Sequence, residues 1–316
     1  MSELIDRDLY PNLATLADAI LGEWPRHQRY LAINFSERST EELAFSELLS
    51  EMVIRLSVSA PSGITSLASD YRFISEKIIL PEELHFRRTG EYRLKTFSDA
   101  LEQVYSRHEF MTRYMNGLLL TDVIWINHCR CIRHYRDVFL KSLDHNAELL
   151  EIGPGHGLLL SLAAREPRVG NLTACDVSQA SLDASRHSLD ALSPGRQVIF
   201  RQQDIFQSLP EDVSGRFDAI VLSEVLEHLE FPKKALEVLF QLCKPGGKVW
   251  INVPANSPAP DHLYLVNKPD EASNMIQSVG FEIIDTANYT MSGTTMERAL
   301  KDKLTISCVV VGRRPA

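Results

Sequence analysis

The chain has 316 residues, of which 44% are hydrophobic and 24% are charged, and its formal net charge is −9. This composition is typical of a globular protein with room for two domains. The negative charge argues against a nucleic-acid substrate, because phosphate backbones are bound by basic surfaces. No apolar run approaches the length needed to span a bilayer, so we expect neither a membrane nor a nucleic-acid partner.

The cysteine content bears on the compartment. Five cysteines form no even framework for disulfides, and the N-terminal residues do not have the pattern of a signal peptide. We therefore expect a cytoplasmic protein without disulfide bonds.

The first 140 residues are predicted to form a mostly helical domain. Apolar residues recur there at helical spacing, as in LATLADAILGEW and ELAFSELLSEMVIRL. Ser39 and Glu42 have the spacing of a capping box. The segment TGEYRLKT is predicted to be an extended hairpin, and one long helix is predicted from Leu118 to Leu143. Such a domain can cap a substrate pocket or form a homodimer interface, and both roles can coexist.

Polar and aromatic residues on that long helix are candidates for contacts to a ligand. Zinc is not expected at His128, Cys129, Cys131 and His134, because one helix face offers at most two ligands and no second pair completes a tetrahedral site. Packing in the helix core is the alternative to ligand contact for each candidate. The predicted substrate contacts here are Trp125, Asn127 and His128, with Tyr105, His108 and Tyr114 upstream.

The most informative segment reads LLEIGPGHGLLL over residues 149–160. An apolar strand ends in Gly153, Gly155 and Gly157 and is followed by an apolar helix, so the backbone can approach a ligand closely. A dinucleotide fingerprint, G-x-G-x-x-G, would need its third glycine where Leu158 stands. The acidic residue Glu151 precedes the first glycine, and a nucleoside is the expected ligand.

The strands that follow also end in polar residues. Asp176 and Val177 come after the second strand, and a carboxylate there can accept both hydroxyls of a ribose. Asp204 and Ile205 follow the third strand. The fourth strand, in FDAIVLSEVLEHL, is predicted to end near Leu222 and Ser223, and a helix carrying Glu227 and His228 is predicted after it. A Pro-Gly-Gly turn, a fifth strand, a helix in PDEASNMIQSVGF and two last strands complete the prediction.

These residues in this order resemble the class I S-adenosylmethionine (SAM)-dependent methyltransferases. The motif E-x-G-x-G-x-G, the strand end at Asp176 and the run SEVLEHLEFP carry the resemblance, which extends from about Asp144 to Arg313 and is similar to small-molecule enzymes such as the ubiquinone-biosynthesis O-methyltransferase group. The resemblance implies an N-terminal helical cap over residues 1–140, followed in the sequence by an α/β, Rossmann-like seven-stranded domain over residues 141–316.

The resemblance also implies SAM as cofactor and a set of residues that hold it. In the family the acid of the glycine motif lies near the cationic methionine end, and a carboxylate after the third strand binds the adenine amino group beside an apolar neighbour. The predicted cofactor-binding residues are Glu151, Gly153, Gly155, Gly157, Asp176, Val177, Asp204, Ile205, Ser223 and Glu224.

His228 is the predicted general base. It follows Glu227 at the carboxyl edge of the sheet, where ligands of open α/β sheets bind, and a neutral imidazole can accept a proton from a phenol, hydroxyl or ammonium group. The alternative is a packing role. The rigid, proline-rich loop NVPANSPAPDHLYLV supplies further predicted substrate contacts, or is an ordered surface loop. They are Asn256, Asp261, His262 and Tyr264.

The sequence thus predicts a methyltransferase that acts on a small molecule, in specialised biosynthesis, with the acceptor atom left open between O, N and C. Three alternatives share parts of the pattern. The first is another SAM-consuming reaction, such as cyclisation of the aminobutyrate chain with release of methylthioadenosine. The others are a SAM-binding protein without catalysis and a nicotinamide-dependent oxidoreductase.

Overall fold

The computed structural model describes residues 5–60, 62–207 and 214–316. The chain divides into two compact units, and each is assembled from separate stretches of sequence. The first unit contains the described residues up to Arg133 together with Ser257–His262 and Tyr289–Leu304. The second unit contains His134–Asn256, Leu263–Asn288 and Thr305–Ala316.

The first unit is helical. Apolar faces of its helices bury Leu13, Leu49 and Tyr71. Gly117 lets the helix that carries it approach its neighbour, since a Cβ there would lie 2.8 Å from the carbonyl oxygen of Asp70. The helices up to this point are α1 Pro11–Glu23, α2 Gln28–Ser36, α3 Thr40–Ser57, α4 Ile64–Phe73, α5 Leu80–Thr89, α6 Phe97–Ala100, α7 His108–Ile124 and α8 Ile126–His134.

The predicted capping box at the start of α3 is confirmed. Ser39 Oγ accepts a hydrogen bond from the backbone N–H of Glu42 at 3.2 Å, and Glu42 Oε2 accepts one from the backbone N–H of Ser39 at 2.9 Å. Two otherwise unpaired N–H groups are satisfied in this way, so a local pattern alone fixes where this helix begins.

The predicted hairpin at TGEYRLKT is wrong. Residues 89–96 are all described and form no strand. Helix α5 ends at Gly90, whose φ of 75° lies in the left-handed region. Beyond it the chain is held by side chains: Tyr92 and Leu94 are buried, and Arg93 pairs with Glu82 at 3.0 Å.

The predicted long helix from Leu118 to Leu143 is also wrong, because it is interrupted at Trp125. This residue is extended, with φ −79° and ψ 117°, between α7 and α8. The buried guanidinium of Arg38 donates to the carbonyl oxygens of Val123 and Ile124 at 2.8 and 3.0 Å. An uninterrupted helix would use these carbonyls itself, so a residue far away in sequence stabilises the break.

The second unit is built on a seven-stranded sheet, and with the helical N-terminal region it confirms the predicted fold class. The strand order is β3-β2-β1-β4-β5-β7-β6. Strand β1 pairs in parallel with β2 and β4, β4 pairs in parallel with β5, and β7 runs antiparallel to β5. The strands are β1 Ala147–Ile152, β2 Val169–Asp176, β3 Ile199–Gln202, β4 Phe217–Ser223, β5 Cys243–Ala255, β6 Glu282–Thr290 and β7 Ile306–Arg313.

The remaining helices connect these strands. The chain leaves β1 for β2 on one side and reaches β4 on the other, so the carboxyl ends of β1 and β4 flank the point where the order reverses, which is where open α/β sheets bind ligands. The helices are α9 Leu158–Arg165, α10 Gln179–Leu192, α11 Pro232–Leu242, α12 Pro269–Ser278 and, in the first unit, α13 Met296–Asp302.

The helix predicted at Glu227 and His228 is wrong in one respect. These residues form a short 3-10 turn over Leu226–His228, and α11 begins only at Pro232. A proline is favoured in the first turn of a helix and disfavoured inside one, so it sets the start of α11.

All five cysteines lie in the described residues, are buried and form no disulfides. Across the described ranges, no helix combines the length and the apolar character needed to cross a bilayer.

Candidate functional site

The glycine-rich loop connects β1 to α9, as predicted. Gly153, Gly155 and Gly157 have φ values of 69°, 55° and 80°, a region that other residues adopt only at a cost. Packing adds a second reason for glycine. A Cβ on Gly153 would lie 2.6 Å from Val225 Cγ2, and one on Gly157 would lie 2.8 Å from the Cα of Ser185. The loop therefore packs closely against the protein itself.

Three serines of α10 hold the outer side of this loop. Ser185 Oγ donates to the carbonyl oxygen of Gly155 at 3.2 Å, with a longer contact of 3.5 Å from Ser181 Oγ. Ser188 Oγ donates to the carbonyl oxygen of His156 at 2.5 Å. These contacts are not among the predictions from the sequence, although positions 181, 185 and 188 share one face of a helix.

Glu151 lies near the end of β1, between Ala174 of β2 and Val221 of β4. Its side chain is buried, and burial raises the pKa of its carboxyl group to about 8. Among the described residues Oε2 has no hydrogen-bond partner. Leaving a buried carboxyl oxygen unsatisfied is costly, so this atom indicates a place where a ligand binds.

Asp176 ends β2 and faces the first turn of α10. Its Oδ1 accepts from the backbone N–H of Ser178 at 2.8 Å, and its Oδ2 accepts from Ser181 Oγ at 2.6 Å. Burial is the largest influence on its pKa and raises it. Each carboxylate oxygen has a second lone pair, so the group can accept further hydrogen bonds. Val177, the next residue, is exposed.

Asp204 and Ile205 lie in the turn after β3. Asp204 Oδ1 accepts from the backbone N–H of Phe206 at 2.9 Å, and the side chain of Ile205 is buried. The predicted pair of a carboxylate and an apolar neighbour is thus present after β3.

Ser223 and Glu224 at the end of β4 are fixed by Asn252 of β5. Glu224 has a φ of 51°, and its backbone N–H donates to the carbonyl oxygen of Asn252 at 2.8 Å. Asn252 Nδ2 donates to Glu224 Oε1 at 2.9 Å and to Ser223 Oγ at 3.3 Å. Asn252 Oδ1 is buried without a hydrogen-bond partner in the described part of the chain. Asn252 was not predicted as a site residue, but the sequence marks it as a polar amide side chain inside the apolar run VWINV.

His228 lies in the 3-10 turn after β4, next to the buried side chain of Glu227. His228 Nε2 is 3.8 Å from Glu227 Oε1. The backbone carbonyl of Glu227 accepts from the N–H groups of Leu263 and Tyr264 at 2.7 and 2.9 Å. A half-buried imidazole thus lies beside a buried carboxylate at the carboxyl edge of the sheet.

Some predicted substrate contacts lie together in the first unit. Tyr114 and Tyr105 donate their hydroxyls to Asp261 Oδ1 and Oδ2 at 3.1 and 3.2 Å. His262 Nδ1 lies 2.6 Å from the carbonyl oxygen of Ser257. Asp261 is buried, so two tyrosines from the helical region surround a buried carboxylate from the proline-rich loop.

The other candidates in the first unit lie near the break between α7 and α8. The rings of Trp125 and His128 are 5.0 Å apart, and His128 Nδ1 is 3.6 Å from Asp122 Oδ1. Asn127 is buried.

Asn256 and Tyr264 belong to the second unit. Asn256 has a φ of 50°, and its Nδ2 donates to the carbonyl oxygen of Asn267 at 2.9 Å. Its Oδ1 is buried and finds no hydrogen-bond partner within the described ranges. Tyr264 is partly exposed, at 36%.

The methyltransferase domain family matches residues 126–303, which is more than half of the chain. The chain belongs to this family. A ubiquinone biosynthesis O-methyltransferase of Pseudomonas aeruginosa is 26% identical over 188 residues, which cover 54% of this chain and 79% of that protein. The Xanthomonas axonopodis enzyme of the same name is 33% identical over 120 residues, 38% of this chain and 48% of that protein.

A solved structure extends the similarity in fold to nearly the whole chain. The S-adenosylmethionine-dependent methyltransferase SibL, in its apo form, matches with a TM-score of 0.54 and 15% identity, covering 98% of this chain and 97% of SibL. The chain is a SAM-dependent methyltransferase, as its sequence motifs predict.

The residues at the carboxyl edge of the sheet fit this cofactor. Gly153, Gly155 and Gly157 leave the loop backbone without side chains, and the buried Oε2 of Glu151 has no hydrogen-bond partner within the described ranges. A cation can fill that unmet hydrogen-bonding capacity, and SAM carries cationic groups at its methionine end.

Proposed function

We propose that the protein transfers a methyl group from SAM to a small-molecule acceptor and that the carboxyl edge of the sheet in the second unit holds the cofactor. The observation that carries the proposal is the buried Oε2 of Glu151, which has no hydrogen-bond partner among the described residues, beside a loop with three left-handed glycines. Buried groups without hydrogen-bond partners and residues with a strained backbone are concentrated at functional sites, where binding of a ligand offsets their free-energy cost.

Each part of the edge has a proposed task toward the cofactor. Glu151 and the loop of Gly153, Gly155 and Gly157 bind the methionine end. Asp176, with Val177 beside it, binds the ribose hydroxyls through its remaining lone pairs. When bound, SAM supplies an electrophilic methyl group on its sulfonium. The remaining proposed cofactor contacts are Asp204 and Ile205 for the adenine, and Ser223 and Glu224 at the end of β4.

His228 is proposed to accept the proton that the acceptor loses. Its Nε2 lies 3.8 Å from Glu227 Oε1, at the carboxyl edge where open α/β sheets bind their ligands. The net charge of −9 supports a small acceptor over a nucleic acid, and we place the reaction in specialised biosynthesis. The proposed acceptor contacts are Tyr114, Trp125, Asn127, His128, Asp261 and His262 in the first unit, and Asn256 and Tyr264 in the second.

Location and assembly complete the proposal. Five buried thiols without disulfides fit a reducing, cytoplasmic location. The helical first unit is proposed as a cap and as the surface of a homodimer, which light scattering of the purified protein would measure.

Incubation with SAM and a panel of phenols, alcohols, amines and carbon acids tests the reaction. Mass spectrometry should detect S-adenosylhomocysteine in amounts that depend on the acceptor. Methylthioadenosine would instead indicate attack on the aminobutyrate chain. Tight SAM binding with neither product across the panel would indicate a binding protein, and NAD(H) binding without SAM binding would contradict the proposal altogether.

The role of His228 is tested once an acceptor is known. His228→Ala should lower the rate at saturating SAM by about 10²- to 10⁴-fold, the usual contribution of a general base. The exposed His187 on α10 offers a matched control, because His187→Ala should leave the rate unchanged. An unchanged rate in His228→Ala would remove this residue from the mechanism.

A further inference from the structure

Tyr135 has a buried hydroxyl that no described residue engages in a hydrogen bond. It lies at the start of a π-helical segment, Tyr135–Phe139, shortly before β1. Its ring packs against Trp250 and Phe139, with centroids 5.1 and 6.0 Å away. In the described part of the chain its hydroxyl has no hydrogen-bond partner. A phenylalanine would pack equally well without leaving a buried polar atom unsatisfied, so packing does not explain the hydroxyl.

The unsatisfied oxygen of Glu151 lies in the same neighbourhood. Glu151 pairs with Val221 of β4 and Val221 pairs with Trp250 of β5, so the side chain of Glu151 lies on the same face of the sheet as Trp250, against which the ring of Tyr135 packs. The carboxyl group of Glu151 also raises the pKa of the Tyr135 phenol, in addition to the larger effect of burial. Both residues belong to the second unit, and both expose no more than a few per cent of their surface. Two buried oxygens with unfilled acceptor capacity therefore lie near each other, next to the glycine loop.

The carboxyl group of Glu151 and the hydroxyl of Tyr135 together favour a cationic hydrogen-bond donor as their ligand. A carboxylate and a hydroxyl oxygen can both accept hydrogen bonds from one N–H donor group, and a positive charge on that group compensates the carboxylate. An anionic group would be repelled by the ionised acid. The ammonium group at the methionine end of the cofactor meets both requirements.

We propose that Tyr135 joins Glu151 in binding the ammonium group of the cofactor, and that Glu151 releases its proton to the solvent when this cation binds. The proposal rests on the proposed function, because it concerns the same site. It adds a residue outside the glycine motif and makes the binding of the cofactor depend on pH.

The proton balance follows from the surroundings of Glu151. Burial raises the pKa of its carboxyl group to about 8, so at pH 7 the ligand-free protein holds that proton. Strand β4 contributes only apolar residues over Ala219–Leu222, and β2 contributes Cys175 and then Asp176. On the preceding helix His134 is next to Tyr135, but its ring nitrogens are engaged by Trp250 and Asp285. A bound ammonium would be the cation that lowers the pKa of the carboxyl group, and the proton then passes to the buffer.

Isothermal titration calorimetry with S-adenosylhomocysteine tests this, because that compound keeps the ammonium group and lacks the reactive methyl group. Titrations at pH 7 in buffers with different ionisation enthalpies give the number of protons released on binding. We expect about 0.9 proton per ligand for the unaltered protein, the protonated fraction of a group with a pKa of about 8. Glu151→Gln should release almost none.

Tyr135→Phe should separate affinity from proton release. We expect about tenfold weaker binding, because a hydrogen bond to a charged group is lost, with proton release unchanged. The melting temperature of its ligand-free form should be equal or higher, since a buried unsatisfied hydroxyl is removed. Matched controls are Glu148→Gln on the same strand, whose carboxyl pairs with Arg216, and Tyr10→Phe, a buried tyrosine of the other unit. Both controls should bind and release protons as the unaltered protein does.

The outcomes distinguish the two proposals. If S-adenosylhomocysteine binds without proton release, or if Tyr135→Phe binds as tightly as the unaltered protein, the inference is wrong while the proposed function stands. If the folded protein binds neither S-adenosylhomocysteine nor SAM, the proposed function itself fails.

Discussion

Gly153 allows the packing of the glycine loop to be measured as a free energy. An alanine there must adopt a φ near 69°, which costs about 1 kcal/mol for a residue with a Cβ. Its Cβ would also lie 2.6 Å from Val225 Cγ2, and overpacking of this kind costs about 1–3 kcal/mol. Gly153→Ala should therefore lower the free energy of unfolding by about 3 kcal/mol.

A second substitution separates the two contributions. Val225→Ala removes the methyl group that clashes, so the double variant should recover about 1–2 kcal/mol relative to the sum of the single effects. Gly195→Ala is the matched control. Gly195 has a φ of 82°, and no described atom lies within 4 Å of the position of its Cβ. It should lose only the backbone contribution of about 1 kcal/mol.

Urea unfolding followed by circular dichroism gives the free energies of unfolding. Comparison of the unaltered protein with the two single variants, at Gly153 and Val225, and the double variant gives the coupling energy. If Gly153→Ala costs no more than Gly195→Ala, or if Val225→Ala recovers nothing, then close packing is not what requires glycine at this position. The loop would then have to be explained by approach of the ligand alone.

Two further predictions concern pH. Burial raises the pKa of Glu151 to about 8 in the ligand-free protein. The stability that this protonated carboxyl group contributes is fully present below its ordinary pKa and is lost as the pH rises through about 8, by on the order of 5 kcal/mol. Urea unfolding at a series of pH values between these limits should show the loss, and Glu151→Gln should abolish it. Burial lowers the pKa of His27 to about 4, against a smaller opposite effect of Glu76, so stability present above pH 6.5 should fall by about 3 kcal/mol as the pH drops to 4. His27→Gln should weaken this acid dependence, and an unchanged acid limb would contradict it.

Local patterns account for what the sequence could predict. Apolar periodicity marks each strand of the sheet, and the polar residue at which it stops, such as Asp176, marks the carboxyl edge. The capping box at Ser39 needs only residues within four positions of one another. These features lie in short stretches of sequence, so the sequence of this chain by itself is enough to place them.

Contacts between distant residues account for what could not be predicted. The break at Trp125 depends on Arg38, more than 80 residues earlier in the chain. Before the 3-10 turn that replaces the helix expected at His228, Glu224 adopts a left-handed conformation, and its N–H donates to the carbonyl oxygen of Asn252 on the neighbouring strand. Tyr135 looks like an ordinary core aromatic in the sequence, and only the structure shows that its hydroxyl is buried and unsatisfied.

The segmented composition of the first unit has a consequence for how the protein is made. Tyr105 meets Asp261 across 156 positions of sequence, and Glu37 meets the backbone of Gly293 across 256. During synthesis the N-terminal helices leave the ribosome long before the segments Ser257–His262 and Tyr289–Leu304 that complete their unit. Contacts between residues this distant in sequence form slowly, so the N-terminal helices remain partly folded until these later segments have been synthesised. A fragment ending at residue 140 should stay in that state, with exposed apolar surface and a tendency to aggregate.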